Sequence, residues 1–518
     1  MAAHLFSALF AGIFCVAAIC FAPFPLRAQD AAVPRPKSIV LIYADDLGYG
    51  DVGCYGETEI PTPNLDKLAS QGVRFLDAHS SAATCTPSRY SLITGQYAFR
   101  KKGTDILAGD ANLIITEQEP NLPSMLEKAG YATGIVGKWH LGLGHSKIDW
   151  NGEIKPGPTE VGFDYEFIMP ATLDRVPCVY LEKNRVLNLD LADPIEVSYN
   201  YKVGDDPTGF SNPELLKYKA DAQHCGTIIN GVSRIGFMKG GHTARWVDET
   251  MADLLSDKVV HFMEENTDKP FFLYYAMTEP HVPRIPNQRF VGKTKLGVRG
   301  DVIVQLDWAV GKVLAALDRL GLSDDTLVIF SSDNGPVLND GYMDGSVKLN
   351  GSHKPAGPYR GGKYDAYEGG TRLPLIVRWP KYVKPGESNA LICQMDLFAT
   401  LASLTGQAQS KWSMDSQSLV PALLGKTQTG RESLVEQGSN ALGLRIGNWK
   451  YIEMIKPRGA KTAPVAKFSL YDLENDPGEK TNLSESNPQK TAEMKAVLEK
   501  ICGQRGAEIG DGGHNDED

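Results

Sequence analysis

Ser38-Ile39-Val40-Leu41-Ile42-Tyr43-Ala44, closed by Asp45-Asp46-Leu47-Gly48, is the stretch whose reading decides the fold. It is an apolar run with no polar alternation, which describes a strand buried on both faces, as in a parallel sheet. Phe271-Phe272-Leu273-Tyr274-Tyr275-Ala276 and Thr326-Leu327-Val328-Ile329-Phe330 repeat the pattern, and Tyr131–Val136 reads as another strand. Between them lie helical stretches: Asn64–Gln71 before Gly72, Asn121–Lys128 before Gly130, Trp246–Glu265, and Asp301–Leu320. In the third, Val247, Met251, Leu254, Leu255, Val259 and Phe262 recur at the spacing of one helix face. Strands alternating with helices predict an α/β fold, a mostly parallel sheet flanked by helices. Functional residues then collect beyond the carboxyl ends of the strands.

The strand ends carry the polar residues. Asp45 and Asp46 repel each other and lose hydration unless a cation lies between them. Ser331-Ser332-Asp333-Asn334-Gly335 ends another strand the same way, so three carboxylates and an amide are on offer, oxygen ligands that suit calcium or magnesium. Gly137-Lys138-Trp139-His140 places a lysine and a histidine two residues apart, on the same side if the segment is extended. Glu279-Pro280-His281-Val282-Pro283 confines a histidine between prolines, which suits a positioned proton donor. In Arg360-Gly361-Gly362-Lys363 the glycines let Lys363 approach an anion closely. In Cys85-Thr86-Pro87-Ser88-Arg89, Thr86 reads as a helix N-cap and Pro87 as the first helical residue. Cys85 is then expected just ahead of a helix N-terminus, where negative charge is favoured, with Arg89 reaching back along the same face.

Cys85-Thr86-Pro87-Ser88-Arg89, with Leu92, Thr94 and Gly95, resembles the type I sulfatase motif at every fixed position. The order and identity of the other pieces resemble the sulfatase pattern from about residue 38 to 380. The resemblance implies an alkaline-phosphatase-like α/β fold with a smaller C-terminal α+β subdomain. It implies that Cys85 is oxidised by a formylglycine-generating maturation enzyme, and that the hydrated aldehyde attacks the sulfur of a sulfate ester. Asp45, Asp46, Asp333, Asn334 and the residue-85 diol would hold calcium, Arg89 would stabilise the diol, and Asp333 would accept its proton. Lys138, His281 and Lys363 would neutralise developing charge, with His281 as proton donor to the leaving alcohol and His140 stripping the remaining diol proton. Related alkaline phosphatases place histidine where Asn334 stands and bind zinc. The substrate implied is a sulfated carbohydrate, with galactose or N-acetylgalactosamine units expected and Asp174, Arg175 and His242 as sugar contacts. A phosphomonoester or phosphonate hydrolase of the same superfamily, or an inactive secreted carbohydrate-binding relative, is the alternative.

Residues 5 to 25 are apolar and lead through Leu26-Arg27-Ala28 into a polar stretch, which reads as a signal peptide over 1–28 and an exported protein. A catalytic domain is expected over 35–408, and composition shifts between Thr405 and Trp412. A subdomain is expected over 409–505, with strands at Leu442–Arg445, Trp449–Ile452 and Phe468–Leu473 and a helix from Pro488 to Ile501. Residues 506–518 form an acidic tail of disordered composition. The formal charge is -10, and loss of residues 1–28, whose single charged side chain is Arg27, takes it to -11. That balance excludes nucleic acid and anionic membranes as natural partners. Cys54, Cys85, Cys178, Cys225, Cys393 and Cys502 form no CxxC pair, so neither a zinc knuckle nor a disulfide scaffold is indicated. Residues 145–245 are irregular and rich in Gly and Pro, and a long segment of this kind is usually functional. Besides Asp174, Arg175 and His242, His224 is a polar position of interest there. Nothing in the sequence indicates the oligomeric state.

Overall fold

The Ser38–Ala44 run is a strand with all seven residues buried, because it is paired on both edges and covered on both faces. In the computed structural model, which describes residues 35–56, 58–455 and 468–503, it lies within a ten-stranded sheet. The expected signal peptide and the acidic tail fall outside the described residues. Five central strands are parallel, in the order Thr326–Ser332, Ser38–Ala44, Phe271–Ala276, Ala132–Lys138 and Tyr165–Met169. Leu375–Arg378 pairs antiparallel beyond one edge and Leu181–Glu182 beyond the other. The sheet is therefore mostly parallel with reversed margins, as the apolar runs led one to expect.

The register matters more for the site than the strand order. Ala44 pairs with Ser332, Tyr43 with Ala276, and Ala276 with Gly137. Residues one to five positions further on, including Asp45, Asp46, Lys138, His281, Asp333 and Asn334, therefore leave the sheet along one edge. Two helix groups flank the sheet. Pro63–Ser70 and Met251–Glu265 pack against Val298–Arg319, while Cys85–Thr94 packs with Leu122–Lys128 and Asp396–Leu404.

Several element ends differ from the sequence reading. The third helix begins at Met251, not Trp246, and Val247 is 47% exposed: Asp248–Thr250 forms a tighter turn that rotates it off the apolar face. The helix after Thr84 begins at Cys85 itself, so Cys85 lies inside the first turn, with neither Thr86 nor Pro87 at the position expected of it. The freed Thr86 hydroxyl donates to the His140 carbonyl at 3.3 Å, tying the helix to the lysine–histidine segment.

Ser433–Gln437, Ala441–Ile446, Trp449–Met454 and Phe468–Asp472 form an antiparallel sheet in chain order, followed by the helix Pro488–Gly503. Leu434, Leu444, Tyr451, Leu470, Met494 and Leu498 share a core with Tyr97, Phe99 and Cys393. A buried charge network adds to this joint. Lys450 lies 3.0 Å from Glu368 and also pairs with Glu436, while Arg445 lies 2.7 Å from Glu368 and His79 lies 2.8 Å from Glu436. No helix among the described residues is long and apolar enough to cross a membrane.

Candidate active site

The cluster beyond the strand ends is built on Asp45, Asp46, Asp333 and Asn334, each at most 1% exposed. Asp46 turns with φ +65, a conformation that aspartate tolerates better than most residues, and its amide donates to the Asp333 carboxylate at 3.1 Å. Asn334 donates to Asp46 at 2.7 Å, which leaves its amide oxygen buried without a partner. Burial pushes the Asp45 carboxyl well above its ordinary value, opposed by Lys138 and reinforced by Asp333. Burial also pushes Asp333 up, but Arg89 and Lys138 overcome it and hold that carboxyl at about 2. Two carboxyls so close do not both ionise without added positive charge. Ligand atoms of Asp45, Asp46, Cys85 and His281 lie within 4.8 Å of one another. The carboxylate oxygens of this group, with the unpartnered Asn334 oxygen, fit a hard divalent cation.

Cys85 points into the same cluster, its Sγ 3.7 Å from Asp45 Oδ1. Burial pushes its thiol far up, and the opposing pull of Lys138 and Lys363 does not restore it. A thiolate nucleophile is therefore disfavoured here. Arg89, one turn along the helix, donates through Nε to Asp333 at 3.0 Å and through Nη1 to the Tyr274 hydroxyl at 3.2 Å.

Each of the two lysines pairs with a different carboxylate of the cluster. Lys138 Nζ lies 2.8 and 2.7 Å from the Asp45 oxygens, and Lys363 Nζ lies 2.9 Å from Asp46. Burial works against both ammonium groups, but the facing carboxylates more than offset it and keep them charged.

His140 shows where the extended reading fails. Its φ is +54, so it does not follow Lys138 along a strand; Nε2 bonds to the Leu107 carbonyl at 3.0 Å. That bond makes Nε2 the donor and leaves Nδ1 as an acceptor, buried without a partner. Burial, then Lys138 and Arg175, hold this imidazole well below its ordinary value, hence neutral and able to accept a proton. His281 is held oppositely. Nδ1 donates to the Val282 carbonyl at 2.6 Å, and Nε2 stands 3.8 Å from Asp46.

The sequence of residues 37–407 matches the model of the family described as Sulfatase, and residues 362–505 match the one described as N-sulphoglucosamine sulphohydrolase, C-terminal. The chain belongs to the sulfatase family. It is similar to an N-acetylgalactosamine-6-O-sulfatase of Bacteroides thetaiotaomicron, 48% identical over 482 residues that cover 90% of this chain and 93% of that protein. It is also similar to human arylsulfatase A, 33% identical over 494 residues, 92% of this chain and 88% of that one. A solved structure from work on glycosaminoglycan metabolism by Bacteroides thetaiotaomicron superposes with a TM-score of 0.87 at 48% identity, covering 90% of this chain and 99% of that one. This sulfatase is a sulfuric ester hydrolase on the alkaline-phosphatase-like fold.

Of the sugar contacts expected in this sulfatase, Asp174 and Arg175 adjoin the cluster and His242 does not. Arg175 Nη1 donates to Asp174 at 3.0 Å, and its charge is felt at both His140 and Cys85. His242 is 61% exposed and is held by Asp193 at 2.8 Å, with Asp206 at 3.5 Å. Its Gly240-Gly241 turn places it against those loop carboxylates. His224 takes the place beside Asp174, 3.4 Å away, with Asp221 2.7 Å from its other nitrogen. Burial works against the imidazolium, but these two carboxylates raise its proton affinity. Asp340, 2.8 Å from Lys363, is a residue that the sequence reading missed. No motif marks it, because it lies in an irregular segment between Asn334 and Lys363.

Proposed function

We propose that this sulfatase is exported and removes 6-O-sulfate from N-acetylgalactosamine or galactose units of sulfated carbohydrate. The observation that carries the reading is the polar wall of Asp174, Arg175 and His224 beside the sulfate-facing lysines, in a chain so similar to a relative named for that sugar and position. Ionised Asp174 and the guanidinium of Arg175 offer an acceptor and donors to sugar hydroxyls, where an apolar alcohol would leave both unpaired.

Residue 85, oxidised to formylglycine by the maturation enzyme and hydrated, would supply a geminal diol as nucleophile. Calcium held by Asp45, Asp46, Asp333, Asn334 and that residue would supply positive charge to a sulfate oxygen. Arg89 orients Asp333 and steadies the side chain at position 85. Lys138 and Lys363 balance charge that grows on the sulfate oxygens. His140 takes a proton at Nδ1. His281 gives one from Nε2 to the leaving oxygen. Burial, then Lys363 and Lys138, hold its imidazole well below the ordinary value, so it takes up that proton once a bound anionic ester offsets the two ammonium groups.

Desulfation of a panel of monosaccharides bearing sulfate at O3, O4 or O6 tests the substrate. Release from O6-sulfated N-acetylgalactosamine or galactose is expected, and turnover confined to O4- or O3-sulfated sugars would overturn the assignment. Mass spectrometry of the Cys85 peptide from active protein is expected to show the aldehyde; an unmodified thiol in fully active enzyme would refute the nucleophile.

A further inference from the structure

Asp340 stands at the edge of the catalytic cluster in an arrangement that holding a lysine does not explain. Its Oδ2 lies 2.8 Å from Lys363 Nζ, and its Oδ1 accepts a hydrogen bond from the Tyr364 hydroxyl at 2.8 Å. Lys363 already has Asp46 as a counter-charge at 2.9 Å. A second carboxylate this near a sulfate-binding lysine opposes anion binding by like charge, so its place here calls for a different partner. Asp46 is 1% exposed and Lys363 2%, but the Asp340 side chain is 18% exposed, so it is the carboxylate of this group that reaches the open margin. Each of its oxygens uses one acceptor position, and an ionised carboxylate offers roughly four in all.

Its position relative to the chemistry narrows the choice of partner. The negative charge of Asp340 is felt at His281, as is that of Asp174. Both carboxylates therefore lie near the histidine assigned to the leaving oxygen. Gly341 makes this placement possible: at φ +92 it passes directly over His224, and a Cβ there would fall 2.1 Å from the imidazole. Tyr342 then meets the same ring edge-on, with centroids 4.8 Å apart. The segment is thus pinned to the Asp174–His224 wall.

Tyr364 holds its hydroxyl against Asp340 from a strained backbone. Its φ is +80, a conformation costly for a residue with a bulky side chain, and such outliers persist where the surroundings over-determine them. Its amide donates to the Ala83 carbonyl at 2.7 Å, two residues before Cys85, and its carbonyl accepts from Ser439 of the C-terminal sheet turn at 2.8 Å. The backbone is clamped between the nucleophile segment and the subdomain, and the clamp delivers the phenol to Asp340.

We propose that Asp340, oriented by Tyr364 and Lys363, accepts a hydrogen bond from a hydroxyl of the sugar next to the sulfate ester and so determines specificity for carbohydrate. The proposal rests on the carbohydrate reading above and deepens it. A carboxylate that accepts and does not donate selects an O–H group and rejects a second sulfate at that hydroxyl.

The test compares Asp340→Asn and Tyr364→Phe with the unsubstituted enzyme on a sulfated sugar and on 4-nitrophenyl sulfate. A lost hydrogen bond to a charged acceptor lowers kcat/KM about 10- to 100-fold. Asp340→Asn is expected to show that loss on the sugar, mainly as a raised KM, and a loss at least ten times smaller on the aryl ester. Tyr364→Phe keeps the Asp340–Lys363 pair and is expected to shift the ratio in the same direction, by less. Equal losses on both substrates for both variants would overturn the proposal and make Asp340 only a support for Lys363. Absence of sugar turnover in the unsubstituted enzyme would instead overturn the carbohydrate reading.

Discussion

Replacing His281 by alanine separates proton donation from anion binding. Nδ1 of His281 is committed to the Val282 carbonyl at 2.6 Å, which fixes the ring so that Nε2 faces the cluster. At 3% exposure no bulk water competes for that nitrogen, so no solvent donor replaces it readily. A sugar alkoxide is a poor leaving group and needs protonation as the S–O bond breaks, while a nitrophenolate departs without it. General-acid assistance is typically worth ~10²–10⁴-fold. At 1.36 kcal/mol per tenfold change this is about 3–5 kcal/mol of barrier, required for the alkyl substrate and largely dispensable for the aryl one. Steady-state kinetics of His281→Ala on an O6-sulfated sugar and on 4-nitrophenyl sulfate read the difference directly, with Cys85→Ala setting the floor for both. The sugar is expected to lose at least 100-fold more than the aryl ester. Equal losses would refute the acid assignment, and His140 would be the next candidate.

Chelation is expected to lower both activity and melting temperature, with recovery on adding calcium, because binding to the folded state alone stabilises it. Full activity and an unshifted melt after exhaustive dialysis against chelator would contradict this. Lys450→Met keeps volume in the joint with the C-terminal sheet but removes the cation shared by Glu368 and Glu436, both 0% exposed, leaving Arg445 and His79 to balance them. Denaturant titration should show a loss of about 3–5 kcal/mol, and a change below about 1 kcal/mol would show that the network tolerates the gap. Glu166 accepts from the Asn184 amide at 2.7 Å while its other oxygen has no partner, and burial raises its carboxyl from 4.5 to about 7. The folded state then holds this proton to higher pH than the unfolded chain, so stability falls as pH rises from about 4.5 to 7, by roughly 3 kcal/mol. Glu166→Gln should remove that fall, and an unaltered pH profile of stability would refute the cause.

The runs at Ser38–Ala44, Phe271–Ala276 and Thr326–Phe330 identified central strands because burial on both faces leaves no room for polar alternation. Short elements were not legible in the same way. The Ser433–Gln437 strand carries Glu436 in its interior, and the Lys450 ammonium, the His79 ring and the Thr371 hydroxyl explain why a carboxylate is buried there. Likewise Val247 fits the helical period, yet a turn of tighter pitch takes it out of the face. Periodicity shows which residues would be buried if the element continued, and it does not show where the element stops.

For the site, the chain by itself determined which chemical groups are on offer: Cys85 with Arg89, two carboxylates and a carboxylate–amide pair at two strand ends, a lysine–histidine pair, a histidine between prolines, and Lys363 among glycines. These are local motifs, set by strands that deliver whatever follows them to one edge of the sheet. Tertiary structure alone decided which nitrogen of each histidine faces the cluster, because that depends on the Leu107 and Val282 carbonyls. It also decided that His224 and not His242 stands beside Asp174, and that Asp340 joins Lys363. Those residues lie in loops with no period to read, and their placement follows from which distant segments pack together across the finished sheet.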